Sequence, residues 1–378
     1  MGNRNIMKIT IERGLLLKVL NHIQGVVERR NTIPILSNVK FEAQNNVLTL
    51  HATDMDIDIV EQIPADISVT GSATAPAHTL YDIVRKLPDG SQIILDSDGD
   101  DEQLTLMSGR SNFKLTCLPT EDFPVVATED FPTNFVLKSA DLRGLIDRSK
   151  FAISTEETRY YLNGIYIHAA KRGDVDVLRA VATDGHRLAS VELALPQGAS
   201  DMPGVILPRK AVAEMRKLID ESEENIEIGL SDTKIKFSFD GTALTSKLID
   251  GTFPDYDRVI PDNNDKVLEV DTLLFAQAVD RVSAISNEKS RSVKLSVSRG
   301  NLMLSANSSD NDSATEELQV DYDEAEMEIG FNSRYLLDIA QQIEGKRIRF
   351  TLANSSSPTL IEDLEDQGAL YVLMPMRV

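Results

Sequence analysis

The chain has 378 residues, 42% of them hydrophobic, a single cysteine and a formal net charge of −21. That length allows two or three domains by the rule of ~100–200 residues each. No apolar run reaches the ~18 residues of a membrane span, and residues 1–6 hold no apolar signal core. Cys117 alone allows no internal disulfide and reads as a small buried hydrophobe, which points to the cytoplasm. So acidic a total argues against nucleic acid, because phosphate neutralisation needs Lys and Arg. The distribution matters more than the sum. Acid gathers at 96–102, 220–224 and 310–328, all read as turns and loops, and the helical segments are closer to neutral.

Helical periodicity occurs in two alternating kinds, three times each. The first kind follows a short strand. Ile9-Thr10-Ile11 leads into Leu16, Leu20 and Ile23; Phe135-Val136-Leu137 into Leu142, Ile146 and Ser149; Leu268-Glu269-Val270 into Phe275, Val279 and Val282. The second kind carries the stripes Leu80, Ile83, Val84, Leu87; Val212, Met215, Ile219; and Leu336, Ile339, Ala340, Ile343. Each of these ends at a turn that opens an alternating strand: Ile93-Ile94-Leu95, Ile226-Glu227-Ile228 and Ile348-Arg349-Phe350. Between the helices lie strand runs with hairpin turns at Asn45-Asn46, Lys171-Arg172-Gly173 and Arg299-Gly300-Asn301. The unit is strand, helix, strands, strand, helix, strands, about 125 residues long and present three times, a period of repeated domains rather than of a solenoid. Pro, Asp and Asn cluster near 128–133 and 262–265, giving domains at 7–130, 131–263 and 264–378. Antiparallel sheets with two helices on one face make the class α+β.

Within the repeat, Ala52-Thr53-Asp54 returns as Ala182-Thr183-Asp184. The first copy continues Met55-Asp56-Ile57-Asp58-Ile59, read as an ordinary alternating strand; the second continues Gly185-His186-Arg187-Leu188. A shared strand end that changes chemistry in one copy points to a task given to that copy. The chain ends Tyr371-Val372-Leu373-Met374-Pro375-Met376-Arg377-Val378. Val372 and Leu373 suit a strand, but Pro375 cannot donate to a ladder, so pairing is released there or lies at an edge. Such an apolar end is either tucked into a core or offered to a partner.

Asp184 with His186 invites an acid–base or triad reading. No Gly-x-Ser-x-Gly elbow presents a nucleophile, no His-Glu-x-x-His spacing offers zinc, and no glycine-rich loop cradles phosphate; a polar turn with local hydrogen bonds explains the same residues. Arg159-Tyr160-Tyr161-Leu162-Asn163-Gly164 is the aromatic–basic cluster. It suits nucleic-acid backbones or bases, or else a Tyr pair starting a strand at a sheet edge. Phe253-Pro254-Asp255-Tyr256-Asp257-Arg258-Val259-Ile260-Pro261 reads as a Pro-bounded clamp at the second boundary. Basic residues recur on the helical segments: Arg13, Lys18, Arg29, Arg30, Arg85, Lys86, Arg143, Arg148, Lys150, Arg209, Lys210, Arg216 and Lys217. Together they make the helical face the least acidic surface, a cationic track inside an anionic shell.

The stretches 159–164 and 182–188, Leu207-Pro208-Arg209-Lys210, Ser246-Lys247-Leu248, Phe253-Pro254-Asp255-Tyr256 and Met374-Pro375-Met376-Arg377 resemble the bacterial DNA polymerase III beta subunit family, the sliding clamps. Ile33-Pro34-Ile35-Leu36 and Ser286-Asn287-Glu288-Lys289 fit the same pattern. The resemblance is collinear from Met7 to Val378; residues 1–6 precede it. It implies a head-to-tail homodimeric ring of six similar domains around duplex DNA, helices lining the hole and sheets forming the wall. It implies a processivity factor with no covalent step and no cofactor or metal. Its partners are the polymerase III alpha subunit, the clamp loader, and other polymerases and repair proteins.

By matching position, the resemblance implies a partner-peptide cleft at Leu162, Thr183, Gly185, His186, Arg187, Leu188, Pro254, Arg258, Val259, Val372, Leu373, Met374, Pro375, Met376 and Arg377. It implies a DNA track at Arg30, Tyr160, Tyr161, Arg209 and Lys210, with Lys18, His78 and Arg85 beside it. Glu156 and His78 depart from the family pattern by lowering local positive charge. Phe113 and Leu115 of one chain are expected to face Ala284 and Ile285 of the other. A scaffold that displays the cleft without binding DNA is the competing reading, and the basic helical face argues against it.

Overall fold

A computed structural model describes residues 6–98, 103–125, 129–220, 225–286, 291–308 and 312–377. Asn287, Glu288 and Lys289 of the Ser286–Lys289 motif, parts of the three acidic stretches, and Thr128 of the first linker lie outside them.

Among the described residues, six α-helices form where the two apolar periodicities run: α1 (Arg13–Val26), α2 (Ala77–Val84), α3 (Ser139–Asp147), α4 (Arg209–Ile219), α5 (Thr272–Ser283) and α6 (Ser333–Ala340). The starts of α1, α5 and α6 are capped by acceptor side chains that satisfy otherwise free backbone donors. Glu12 accepts from Leu15 N before α1, Asp271 from Leu274 N before α5, and Asn332 from Arg334 N before α6. The expected stripes are buried except for half-buried Ile83, from Leu16, Leu20 and Ile23 to Leu336, Ile339 and Ile343. Ser149 lies past the end of α3, yet it too is buried, its hydroxyl donating to Leu145 O at 2.6 Å. In the hairpin between Asn38–Gln44 and Val47–Thr53, Asn45 and Asn46 both take positive φ (55° and 60°), the backbone a two-residue turn of this hand requires.

The molecule packs as two compact units. The first holds residues 1–140, 197–201 and 210–248. Its eight-stranded antiparallel sheet runs Thr133–Lys138, Asn225–Leu230, Lys234–Phe239, Thr242–Lys247, Ile57–Pro64, Val47–Thr53, Asn38–Gln44, Gly71–Pro76. A five-stranded sheet runs Asp66–Val69, Ile6–Glu12, Gln92–Asp98, Gln103–Ser108, Ser111–Thr116. Here α1 packs on strands Val47–Thr53 and Ile57–Pro64, and a buried pair, His22 Nδ1 to Glu61 Oε1 at 2.9 Å, joins helix to sheet. Cys117 is buried, as the sequence suggested.

The second unit holds residues 141–196, 202–209 and 249–378. Its eight-stranded sheet runs Val205–Pro208, Gly164–Arg172, Val175–Thr183, Arg187–Ala194, Ala369–Leu373, Thr359–Asp363, Arg347–Leu352, Lys266–Asp271. A four-stranded sheet runs Ser313–Gln319, Asn301–Asn307, Ser292–Ser298, Met327–Asn332.

Each large sheet therefore joins strands of two sequence repeats: Thr242–Lys247 pairs with Ile57–Pro64, and Arg187–Ala194 with Ala369–Leu373. The second repeat gives strands to both units. Part of the acidic stretch 310–328, expected as loop, is the edge strand Ser313–Gln319. Its exposure alternates, so Glu316 leans toward the structure while Glu317 faces out. Alternation, not charge, decides that element.

Candidate functional site

The expected cleft residues fall wholly within the second unit. The C-terminal strand Ala369–Leu373 lies in register with Arg187–Ala194, setting Leu188 opposite Val372 and Arg187 opposite Leu373. Side chains of a strand alternate between faces. Leu188 and Val372 accordingly join Leu162, Val181, Ile206, Phe253 and Tyr256 in one apolar cluster. After Leu373 the chain leaves the ladder, with Met374 N still donating to His186 O at 2.9 Å and Met376 N to Gly330 O at 2.8 Å. Met374 is 38% exposed and Val259 45% exposed. Pro254 is exposed before the short helical turn Tyr256–Val259 and Arg258 is exposed on it, paired with Asp255 at 2.7 Å. In the 253–261 stretch, Phe253 stacks on Tyr166 at 4.9 Å and 8°.

The turn that opens this wall is the same in both copies. Thr183 Oγ1 donates to Arg187 O and accepts from Gly185 N, and Asp184 Oδ1 accepts from His186 N and Arg187 N. Thr53 and Asp54 make the matching bonds to Ile57 O, Met55 N, Asp56 N and Ile57 N. Residues 54–56, expected as strand, are therefore turn, and the strand starts at Ile57. Met55 sits at φ 78° and Gly185 at φ 88°. At the second position glycine also makes room, because a Cβ there would lie 2.8 Å from Arg159 Nη1.

Arg187 and Leu373 project from the face opposite Leu188 and Val372, away from the apolar cluster. Arg187 is 9% exposed. Its Nε donates to Asp184 Oδ2 at 3.1 Å, Nη2 to Phe151 O at 2.6 Å, and Nη1 to Asp338. The guanidinium lies over the rings of Tyr335 (4.3 Å) and Phe151 (5.1 Å). His186, exposed beside it, stacks on Tyr335 at 6.3 Å and 24°. Nearby, burial pushes the Tyr371 phenol up to about 12, against the pull of Arg148, which pairs with Asp366 at 2.6 Å.

Another network holds the end of the cluster. Tyr256 OH lies 2.8 Å from both His168 Nε2 and Arg179 Nη1, and Arg179 pairs with Glu192 at 2.6 Å. Arg179 and Glu192 face each other across paired strands, a signal present in the hairpin register. Tyr335 and Asp338 had no comparable signal, since at i and i+3 on α6 they read as a solvated helix face.

The expected nucleic-acid residues divide. Arg30 and Arg209 are exposed and, like Arg29, make no ion pair among the described residues. Tyr160 is 54% exposed and meets Tyr161 edge-on at 5.7 Å. The pair lies on the short helical run Glu157–Leu162, not at a strand start, while Arg209 N donates to Asn163 O at 2.9 Å. Lys210 is already engaged, with Asp54 at 2.5 Å, Glu28 at 3.2 Å and Val26 O at 3.1 Å. Burial opposes its charge, but those acids outweigh it and raise its pKa. Lys18 is exposed. His78 Nε2 donates to Val27 O at 2.8 Å, tying α2 to the end of α1. Arg85 pairs with Asp82 at 2.9 Å, and Glu156 with Arg159 at 3.2 Å. Arg13 spends its guanidinium on Asp89 and the carbonyls of Val84 and Arg85. Lys150, Arg216 and Lys217 pair with Asp147, Asp220 and Glu214. The cationic surplus on the helices is thus smaller than a list of basic residues implies.

Of the expected ring-contact residues, two lie on an edge strand and two follow a helix. Phe113 is half-buried and Leu115 buried on Ser111–Thr116, the edge of the five-stranded sheet. Ala284 (exposed) and Ile285 (half-buried) follow α5, which Arg281 ties to the other edge strand through Glu316 at 3.0 and 2.5 Å. No metal-holding cluster of His, Cys, Asp or Glu occurs among the described residues, and no helix there is long and apolar enough to cross a membrane.

Comparison with known proteins covers the whole chain. Residues 7–127 match the N-terminal domain of the DNA polymerase III beta subunit, 136–255 its central domain and 257–377 its C-terminal domain. The beta sliding clamp of Caulobacter vibrioides (strain NA1000 / CB15N) is 53% identical over 98% of this chain and all of its own. That of Escherichia coli K12 is 38% identical over the same shares. The crystal structure of the C. crescentus clamp superposes with a TM-score of 0.97 at 53% identity, covering all of both chains. The Bartonella birtlesii clamp, crystallised bound to griselimycin, gives 0.95 at 50% identity, covering 99% of this chain and all of its own. The chain belongs to the DNA polymerase III beta subunit family, the beta sliding clamps.

Proposed function

We propose that two copies of this chain close head to tail into a ring around duplex DNA and act as the processivity factor of DNA polymerase III. The role is topological: a closed ring leaves its template only by opening, so a tethered polymerase stays on it. The ring forms by pairing Ser111–Thr116 of one copy with Ser313–Gln319 of the other, which removes two free strand edges. Phe113 and Leu115 then meet Ala284 and Ile285. Exposed Arg110 and Lys114 on one edge complement Glu316 and Glu317 on the other.

The observation that carries the reading is the register of Ala369–Leu373 on Arg187–Ala194, which sets Met374 beside His186 and Val372 opposite Leu188 in the apolar cluster. Partner segments dock there through Leu and Phe anchors, since an adaptable Met wall accepts several apolar side chains. The partners are the polymerase III alpha subunit, the clamp loader, and other polymerases and repair proteins in the cytoplasm. The chain itself catalyses nothing. Arg30, Arg209, Tyr160 and Tyr161 are the DNA contacts, and Lys210 contributes mainly by neutralising Asp54.

The test is loading onto nicked circular DNA by a clamp loader, followed by gel filtration at high salt. Retention on the circle and release on linearisation are expected. Salt-resistant retention on linear DNA, or release from the intact circle, overturns the ring.

A further inference from the structure

The Thr-Asp turn occurs twice, and each copy is tied to the second helix of the following repeat. In the first copy the tie is direct: Asp54 Oδ2 takes the Lys210 ammonium of α4 at 2.5 Å. In the second copy the polarity is inverted. Arg187 stands where the first copy has Ile57; it takes Asp184 Oδ2 with Nε and reaches Asp338 of α6 with Nη1. The turn now supplies the cation and the helix the anion. The link runs straight to the proposed cleft wall, because the 184–187 turn carries the His186 carbonyl on which Met374 N hangs at 2.9 Å, and the His186 ring rests on Tyr335 of the same helix.

We propose that Asp338 is a positioning residue for the partner-peptide cleft. It acts through Arg187, on the sheet face away from Leu188 and Val372, and so contributes to affinity from behind the binding surface. A guanidinium 9% exposed holds its place only while its carboxylates compensate it. With the Asp338 charge gone, Arg187 turns toward other acceptors, the 184–187 turn follows it, and the His186–Met374 side of the cleft shifts. This inference rests on the peptide-cleft reading above.

The experiment titrates the full-length protein by calorimetry with a synthetic peptide bearing the Leu-Phe anchor pair. Asp338→Asn is expected to weaken binding about tenfold, a 1.4 kcal/mol change, with the dimer retained on gel filtration. Asp338→Glu restores most of the affinity, which a general loss of stability would not allow. In an Arg187→Met background Asp338→Asn costs nothing further, because sites acting through one group are non-additive. Wild-type affinity in Asp338→Asn, or an additive loss in the double variant, overturns the proposal. If Arg187→Met does not fold, the Asn and Glu variants decide: equal losses overturn it. No binding by the unsubstituted protein overturns the cleft itself, and the positioning role with it.

Discussion

His168 shows how a single residue fixes one end of the apolar cluster, through Tyr256. Its Nδ1 faces Ala169 O at 2.9 Å and its Nε2 faces the Tyr256 hydroxyl at 2.8 Å, while Arg179 donates to that hydroxyl. The consistent proton arrangement is a neutral ring: Nδ1–H donates to the carbonyl and Nε2 accepts from tyrosine. Burial lowers the His168 pKa below its ordinary 6.5, aided by the Arg179 charge and opposed by the Ala169 bond, Asp257 and Glu192. Folding thus favours the uncharged ring. Its contribution is intact above pH 6.5 and is lost as pH falls through the lowered folded value, where the unfolded chain holds the extra proton. Thermal melts should show the unfolding midpoint dropping below pH 6.5, and His168→Gln should flatten that drop. An unchanged slope in the variant would rule out His168 as its source. No pattern in the sequence announced this ring, since an isolated His in a strand looks the same whether its partners are side chains or water.

Among the elements, the C-terminal segment has two parts with different physics. Ala369–Leu373 is an interior strand held on both sides, by Arg187–Ala194 and Thr359–Asp363. Beyond it Pro375 breaks the ladder, as its missing N–H requires, and Met374 and Met376 are pinned by one backbone bond each. Met374→Ala with Met376→Ala removes the flexible wall without touching the strand. Calorimetry should show peptide binding abolished, with each methionine costing about 1–2 kcal/mol as a buried interface anchor and the dimer intact. Of the singles, Met374→Ala should cost more, because Met374 borders His186 whereas Met376 is bridged to Gly330. Undiminished affinity in the double variant would remove this segment from the docking site. The strand and its release at proline were legible in the sequence. The strand neighbour was not, because pairing across so many residues leaves no local trace.

For the whole molecule, the threefold repeat and the joining of repeats through shared sheets govern behaviour. An eight-stranded sheet made from two repeats is a stiff connection, and Ser111–Thr116 and Ser313–Gln319, the strands proposed for ring closure, are edge strands of the two smaller sheets. Ile285→Asp would place an unpaired charge in that contact, at several kcal/mol if fully buried. Light scattering at micromolar concentration should then report monomer, with the fold intact by circular dichroism. A persistent dimer would move the interface elsewhere. The net charge of −21 belongs to this scale too. It opposes tight static binding to DNA and suits a ring retained by closure rather than by affinity.

The sequence by itself determined the repeat, the six helices, the α+β class and, through its motifs, the family. Helical period, strand alternation and turn chemistry are local properties that survive without neighbours. The tertiary structure decided which face each side chain serves. It set Arg187 and Leu373 on the sheet face opposite Leu188 and Val372, engaged Lys210 with Asp54, and made part of an acidic stretch into an edge strand. Those outcomes depend on register and on partners distant in the chain, because shifting one strand by one residue would exchange every face.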